Sequence, residues 1–253
     1  MLELDNVAIS FGRLAALKDV SLTIPKGEIR GLIGPNGSGK TTMFNVISGF
    51  LKPTSGRIRF DGHDITGLRP HKIARRGLLR TFQMTSIYRE MSVLENVVIG
   101  HHLHLSQSKT PERSSADTFG GGDAEESATR ILEFMGLSGV SDTTARLLPM
   151  GIQRVLSIST ALAARPSLLL LDEPLAGLNA TEKTRVAEKI SALRDRGITI
   201  LLVEHDVRSV LSICDRITVI NFGQKIAEGT AGEVTSDRGV IEAYLGSPTK
   251  HAT

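Results

Sequence analysis

The sequence predicts an α/β protein with a parallel-stranded core, an antiparallel β region near the N-terminus and a lobe of helices. Three patterns lead to this expectation. Ser167 to Leu171 and Ile198 to Val203 are short apolar runs flanked by helical patterns, as strands covered on both faces require. Leu2 to Val7 and Val20 to Ile24 alternate apolar and polar residues, the mark of antiparallel strands with one wet face. Met91 to His101, Ala124 to Gly136 and Gly151 to Ala164 follow helical spacing. The expected division is a core of residues 1–83 and 166–253 with a helical lobe over 84–165.

The N-terminal strands are punctuated by Gly12 and by Pro25-Lys26-Gly27. Glu28 to Ile33 reads as a strand that runs into a glycine-rich segment, and Thr42 to Ile47 as the helix after it, ending near Gly49. In Gly56 to Phe60, Ile58 and Phe60 alternate with Arg57 and Arg59, and Asp61-Gly62 supplies a hairpin turn. Ser106 to Glu126 is polar, with Gly120 to Gly122 near its centre. It reads as a mobile loop, with too little apolar surface to offset the entropy of ordering it. A well-marked helix starts at Asn179. Glu182 completes a capping box, Val186, Ile190 and Leu193 form the buried stripe, and Gly197 ends it. The next helix begins near Asp206 and is expected to bury Val207, Val210, Leu211 and Cys214, which makes Cys214 a core residue. ITVINFGQKIAEG closes the chain's β structure as a hairpin before a short tail.

Composition excludes several classes. With 253 residues, 40% hydrophobic and 23% charged, the chain can bury a large core and is neither disordered nor a disulfide scaffold. A single cysteine and no opening signal segment point to a reducing compartment. The apolar runs fall far short of the 18 or so residues of a membrane span, so membrane association is expected through a partner. A net charge of +3, no Trp and few aromatics give no sign of a nucleic-acid surface.

Gly34-Pro35-Asn36-Gly37-Ser38-Gly39-Lys40-Thr41 fits the phosphate-loop pattern G-x-x-x-x-G-K-[ST] between an expected strand and helix. Backbone N–H groups and the positive end of the helix wrap phosphates, Lys40 adds a point charge, and Thr41 offers a hydroxyl to Mg²⁺. Asn36, Gly37, Ser38, Gly39, Lys40, Thr41 and Thr42 are therefore the expected nucleotide-binding residues. LLLLDEP reads as the second half of a P-loop ATPase (RecA-like) core. Its strand delivers Asp172 to the metal and Glu173 to the attacking water.

In these motifs and their order the chain resembles the ATPases of ABC transporters over nearly its whole length. The resemblance implies ATP and Mg²⁺ as ligands. Gln83 in RTFQ would be the Q-loop glutamine at Mg²⁺ and the nucleophilic water. His205 in LLVEHD would be the switch histidine at the γ-phosphate. Phe11 in ISFG resembles the aromatic that stacks on adenine, though a buried core Phe is the competing reading. The signature segment departs from the usual LSGGQ. Leu148-Pro149-Met150-Gly151-Ile152 lacks the serine, while Gly151 keeps an N–H for close approach to the partner's nucleotide. Asn179 stands where the family usually has the D-loop Asp, and an N-cap role explains it equally well. LPxG, AGLN and the tail VIEAYLG look like the branched-chain amino-acid uptake subfamily. There the implied partners are integral membrane permease subunits, a second ATPase and, indirectly, a solute-binding protein, at the cytoplasmic face of the membrane. Two rival readings are a soluble ABC ATPase and a mainly structural ATP-binding partner. His101, His102 and His104 lack a zinc-like ligand set and read as a solvated helix end.

Overall fold

The computed structural model describes residues 1–81, 87–105, 119 and 123–245. In chain order the elements are β1 (Leu2–Phe11), β2 (Leu14–Ile24), β3 (Ile29–Ile33), α1 (Lys40–Ile47), β4 (Ser55–Phe60), β5 (His63–Asp64), α2 (Pro70–Arg75), β6 (Leu78–Arg80) and α3 (Val93–Leu105). These are followed by α4 (Ala124–Met135), α5 (Met150–Ala163), β7 (Leu168–Asp172), α6 (Ala180–Asp195), β8 (Thr199–Val203), α7 (Val207–Ile213), β9 (Arg216–Asn221), β10 (Gln224–Gly229), α8 (Ala231–Ser236) and α9 (Arg238–Leu245). Two compact units result, Met1–Pro70 with Leu201–Thr253, and His71–Ile200.

In the first unit β2, β1, β4 and β5 form an antiparallel sheet in that order. The register sets Leu2 opposite Ile24, Leu4 opposite Leu22, Val7 opposite Val20 and Ile9 opposite Leu17, and all eight are buried. β1 and β2 are longer than the sequence pattern suggested. Register shifts after Leu4 and Val7 break the two-residue period, so one continuous strand reads as separate pieces. Asp61 (φ 47°) and Gly62 (φ 77°) both take left-handed backbone, as a tight turn of this Asp-Gly kind needs.

β3 pairs in parallel with β9, and β9 continues antiparallel into β10. Although β3 is wholly buried, it carries Arg30. The guanidinium ties four strands or their flanks together: Nε donates to Glu28 Oε1 at 2.6 Å, Nη1 to Thr218 Oγ1 at 3.1 Å and to Glu228, and Nη2 to the Thr23 carbonyl at 3.2 Å. Burial alone would raise the Glu228 carboxyl. Lys225 and Arg30 more than reverse this, leaving it below its ordinary value. A Cβ on Gly31 would lie 2.5 Å from Val210 Cγ1 and 2.9 Å from Cys214 Sγ, so glycine lets α7 pack directly on β3. Burial, aided by Asp215, pushes the Cys214 thiol far above its ordinary range, in keeping with a packing role. The stripe of α7 is narrower than expected: Val210 and Ile213 are buried, whereas Val207, Leu211 and the C-cap residue Cys214 stay partly exposed.

In the second unit β6 pairs in parallel with β7. α3 lies against α5 so closely that a Cβ on Gly100 would fall 2.1 Å from the Thr160 carbonyl oxygen. Asp123 caps α4 and Gly136 ends it in left-handed backbone. The capping box of α6 forms as its sequence indicates, with Asn179 accepting from Glu182 N and Glu182 accepting from Asn179 N. His101 is buried at 4% exposure, which corrects the solvated reading of that position; the side chains of His102 and His104 lie outside the description.

The polar tract is also more structured in part than its composition suggests. Its residues 106–118 and 120–122 lie outside the described residues, but Glu125 and Glu126 belong to α4 and Phe119 is only 8% exposed. The Phe119 ring meets Phe134 edge-on at 5.4 Å, Arg196 lies over both rings, and Arg130 Nε donates to the Phe119 carbonyl. A single aromatic residue is therefore buried although the average hydropathy around it is polar. Phe119→Ala is expected to lower stability by about 3 kcal/mol, read as a shift of the chemical denaturation midpoint. An unchanged midpoint would show that the aromatic cluster contributes nothing.

Candidate nucleotide site

In the first unit the fully buried β3 delivers the glycine-rich loop to α1. A Cβ on Gly34 would stand 2.0 Å from the Ile220 carbonyl oxygen and 2.7 Å from Ser38 Oγ. Gly39 is the N-cap of α1 at φ 111°, and a Cβ there would stand 2.8 Å from the Ala16 carbonyl oxygen. Neither position admits a side chain. Lys40, 6% exposed, folds back over its own loop, with Nζ donating to the carbonyls of Gly34 at 2.7 Å and Pro35 at 3.0 Å. Gly223 N donates to the Ser38 carbonyl and Lys18 N to the Gly223 carbonyl, both at 2.8 Å, so the β9–β10 turn clamps the loop to β2.

This loop fits a phosphate group on two counts. The first turn of α1 receives no side-chain cap, which leaves its positive end for an anion. Ser38 Oγ is buried with no hydrogen-bond partner among the described residues. Asn36, Gly37 and Thr41 are exposed, and Thr42 is partly so. Phe11 ends β1 at 50% exposure, which rules out the fully buried core role. His205 follows β8 and is exposed, its N–H donating to Glu204 Oε2 at 3.3 Å. Tyr244 of α9 was not singled out in the sequence, yet its phenol lies against the Gly34 N–H. Burial raises the phenol pKa and that N–H opposes the rise. The residue as a whole is 41% exposed.

In the second unit Asp172 closes β7 at 8% exposure and Glu173 follows, partly exposed, with φ 51°. Arg80 on β6 is level with Leu170 in the parallel register, and Asp172 is two residues on, so both side chains leave the same face. Arg80 Nη2 meets Asp172 Oδ2 at 2.7 Å in an ion pair with both side chains 8% exposed. Pro149 is exposed as the N-cap of α5, while Gly151 is buried, and a Cβ on it would meet Leu178 Cδ2 and Glu182 Oε1 at 3.0 Å. A side chain at 151 would therefore require Leu178 or Glu182 to give way by a few tenths of an ångström. Arg154, three residues along the helix, donates from Nη1 to the Glu173 carbonyl at 2.7 Å. Gln83 lies outside the described residues. Arg80 and Arg154 were absent from the candidate residues, because nothing local in sequence links either one to a carboxylate.

A buried strand, a glycine loop closed by its own lysine and a helix with an uncapped N-terminus define a P-loop NTPase fold. The chain belongs to the ABC transporter family, whose described domain matches residues 17–176. A second family, described as branched-chain amino acid ATP-binding cassette transporter, matches residues 224–249, which include β10, α8 and α9. The high-affinity branched-chain amino acid transport ATP-binding protein BraF of Pseudomonas aeruginosa is 41% identical over 253 residues, covering 97% of this chain and 98% of that protein. Its counterpart LivG of Escherichia coli is 40% identical with the same coverage. A crystal structure of the ADP conformation of an ABC transporter ATP-binding cassette superposes with a TM-score of 0.85 at 37% identity, covering 98% of this chain and 99% of the other.

Arg80→Met would leave Asp172 buried without this counter-charge, and breaking such a pair costs about 3–5 kcal/mol. The expected result is a large loss of unfolding free energy that the double variant Arg80→Met/Asp172→Asn partly recovers. Additive losses in that double-mutant cycle would show that the pair is not coupled.

Proposed function

We propose that this chain is the ATP-binding and ATP-hydrolysing subunit of an ABC importer for branched-chain amino acids or related small solutes. The observation that carries the proposal is near-full-length identity of 41% to a branched-chain amino acid transport ATP-binding protein, supported by a glycine loop whose lysine and uncapped helix end suit a phosphate. Lys40 and the N–H groups of Gly37, Ser38, Gly39, Thr41 and Thr42 hold the β- and γ-phosphates. Phosphate oxygens replace the loop carbonyls as partners of the Lys40 ammonium, and charge-assisted bonds of this kind are the stronger ones. Phe11 offers its exposed face to adenine.

Thr41, Gln83 and Asp172 are assigned to Mg²⁺. No group of three or more His, Cys, Asp or Glu suited to a metal occurs among the described residues, and Mg²⁺ at a nucleotide needs only one or two protein oxygens beside phosphates and water. When bound, the ion neutralises charge developing on the phosphates. Glu173 orients the attacking water and takes its proton, and His205 steadies the transferred group.

ATP pairs the chain with a second ATPase subunit, each supplying a signature segment to the other, and the pair docks on integral membrane permease subunits at the cytoplasmic face. A solute-binding protein selects the cargo. No helix among the described residues is long and apolar enough to cross a membrane. Pro149 brings neither hydroxyl nor N–H to the partner's nucleotide, so the site that receives this chain's signature segment turns over more slowly than the site built on its own Lys40 and Glu173.

Two variants in the assembled transporter test these roles. Glu173→Gln keeps the side chain's shape but cannot accept the proton, so ATP turnover is expected to be nearly lost while ATP binding persists. Near-normal steady-state hydrolysis would remove Glu173 from this role. Lys40→Ala is expected to fail at the binding step, and unchanged ATP affinity would mean that the phosphate loop is misassigned.

A further inference from the structure

Glu173 has an unusual backbone for a residue with a Cβ. Its φ of 51° places it in the left-handed region, which side chains other than glycine, asparagine and aspartate seldom occupy. Such a conformation persists only where its surroundings hold it. Within its own turn the Glu173 carbonyl accepts from Ala176 N at 3.3 Å, a long hydrogen bond. The shorter bond to the same oxygen comes from outside the turn, from Arg154 Nη1 at 2.7 Å, and its donor is charged.

Helix α5 is well placed to supply it. Gly151 and Arg154 are three residues apart and share a face of the helix. A Cβ on Gly151 would come within 3.0 Å of Leu178 Cδ2 and Glu182 Oε1, so this face of α5 lies beside both residues, and Glu182 is engaged in the capping box with Asn179. Thus the segment from Glu173 to Glu182 runs beside α5 at Gly151 and is tied to it at Glu173 by the Arg154 guanidinium. The carboxylate of Glu173 leaves a Cα whose orientation depends on this backbone state. Rotation toward an ordinary φ would swing the Cα–Cβ bond away from its present direction.

We propose that Arg154 is a positioning residue for Glu173, holding its backbone in the left-handed conformation that aims the carboxylate. The inference rests on the reading of Glu173 as the group that takes the proton from water. Arg154 itself touches only the Glu173 carbonyl in this role and takes part in no proton transfer.

The test uses the full chain in its transporter, with its permease subunits and second ATPase, and compares kcat and KM for ATP. Arg154→Met removes the donor while keeping much of the stem. It is expected to lower kcat about tenfold or more, the scale of a lost charge-assisted bond, with KM unchanged. Arg154→Lys, which can still donate to a carbonyl, is expected to restore most of the rate. In a Glu173→Gln background Arg154→Met should cause no further loss, because the residue it positions no longer accepts a proton. If Arg154→Met does not fold, Arg154→Gln, with a shorter uncharged donor, should show the same fall in kcat at unchanged KM. Wild-type kcat in whichever of these two variants folds, with Glu173→Gln inactive, overturns the positioning role alone. A rate loss that Lys fails to restore, and that adds to the Glu173→Gln loss, also overturns it in favour of a structural role. Normal turnover by Glu173→Gln overturns both the positioning role and the reading beneath it.

Discussion

The first unit is organised around the close approach of a glycine loop to backbone carbonyls on either side of it. The Ile220 oxygen stands where a Gly34 side chain would begin, and the Ala16 oxygen stands against both Gly39 and Gly223. Two strands and a turn thus converge on the loop, leaving no room for a Cβ at Gly34 or Gly39. β3 must be fixed to deliver the loop there. Its partners do this through the Arg30 network on one side and through the packing of Val210 and Cys214 on Gly31 on the other.

The second unit solves a different problem, that of presenting two acidic groups in succession at a strand end. Asp172 is nearly buried, and a carboxylate so placed needs a compensating charge, which Arg80 supplies from the adjacent strand. Glu173 must turn away from the strand at once, and its left-handed backbone makes that turn. Arg154 meets the carbonyl exposed by the turn. Each acidic residue therefore has an arginine attached, one through its side chain and one through its backbone, and the two arginines come from different elements. In the first unit helix α9 contributes Tyr244, whose phenol meets the Gly34 N–H.

Much of this was legible in the sequence wherever the physics is local. The apolar runs became β7 and β8, the capping box of Asn179 and Glu182 formed, and Gly136 closed α4. Each depends on residues within a few positions of one another, so periodicity and capping chemistry suffice. Local averaging also misled. Phe119 sits in a tract whose polarity conceals its burial, and His101 was read from its neighbours as a solvated residue although it is buried on α3. The bulges in β1 hid the length of a strand by interrupting its alternation.

By itself the sequence determined the glycine loop with its lysine and the Asp172-Glu173 pair, because each is a short local pattern: glycines where backbone must approach, a lysine beside them, carboxylates at the end of an apolar strand. Only the tertiary structure decided which residues complete them. Arg80 and Asp172 are 92 positions apart, and Arg154 and Glu173 are 19 apart. The first pairing depends on the register of β6 against β7, where a slip of one residue would turn Arg80 to the opposite face. The second depends on which face α5 lays against the turn. Neither register nor docking face is written in any short stretch of chain, since both are settled by how the apolar surfaces of separate elements fit together.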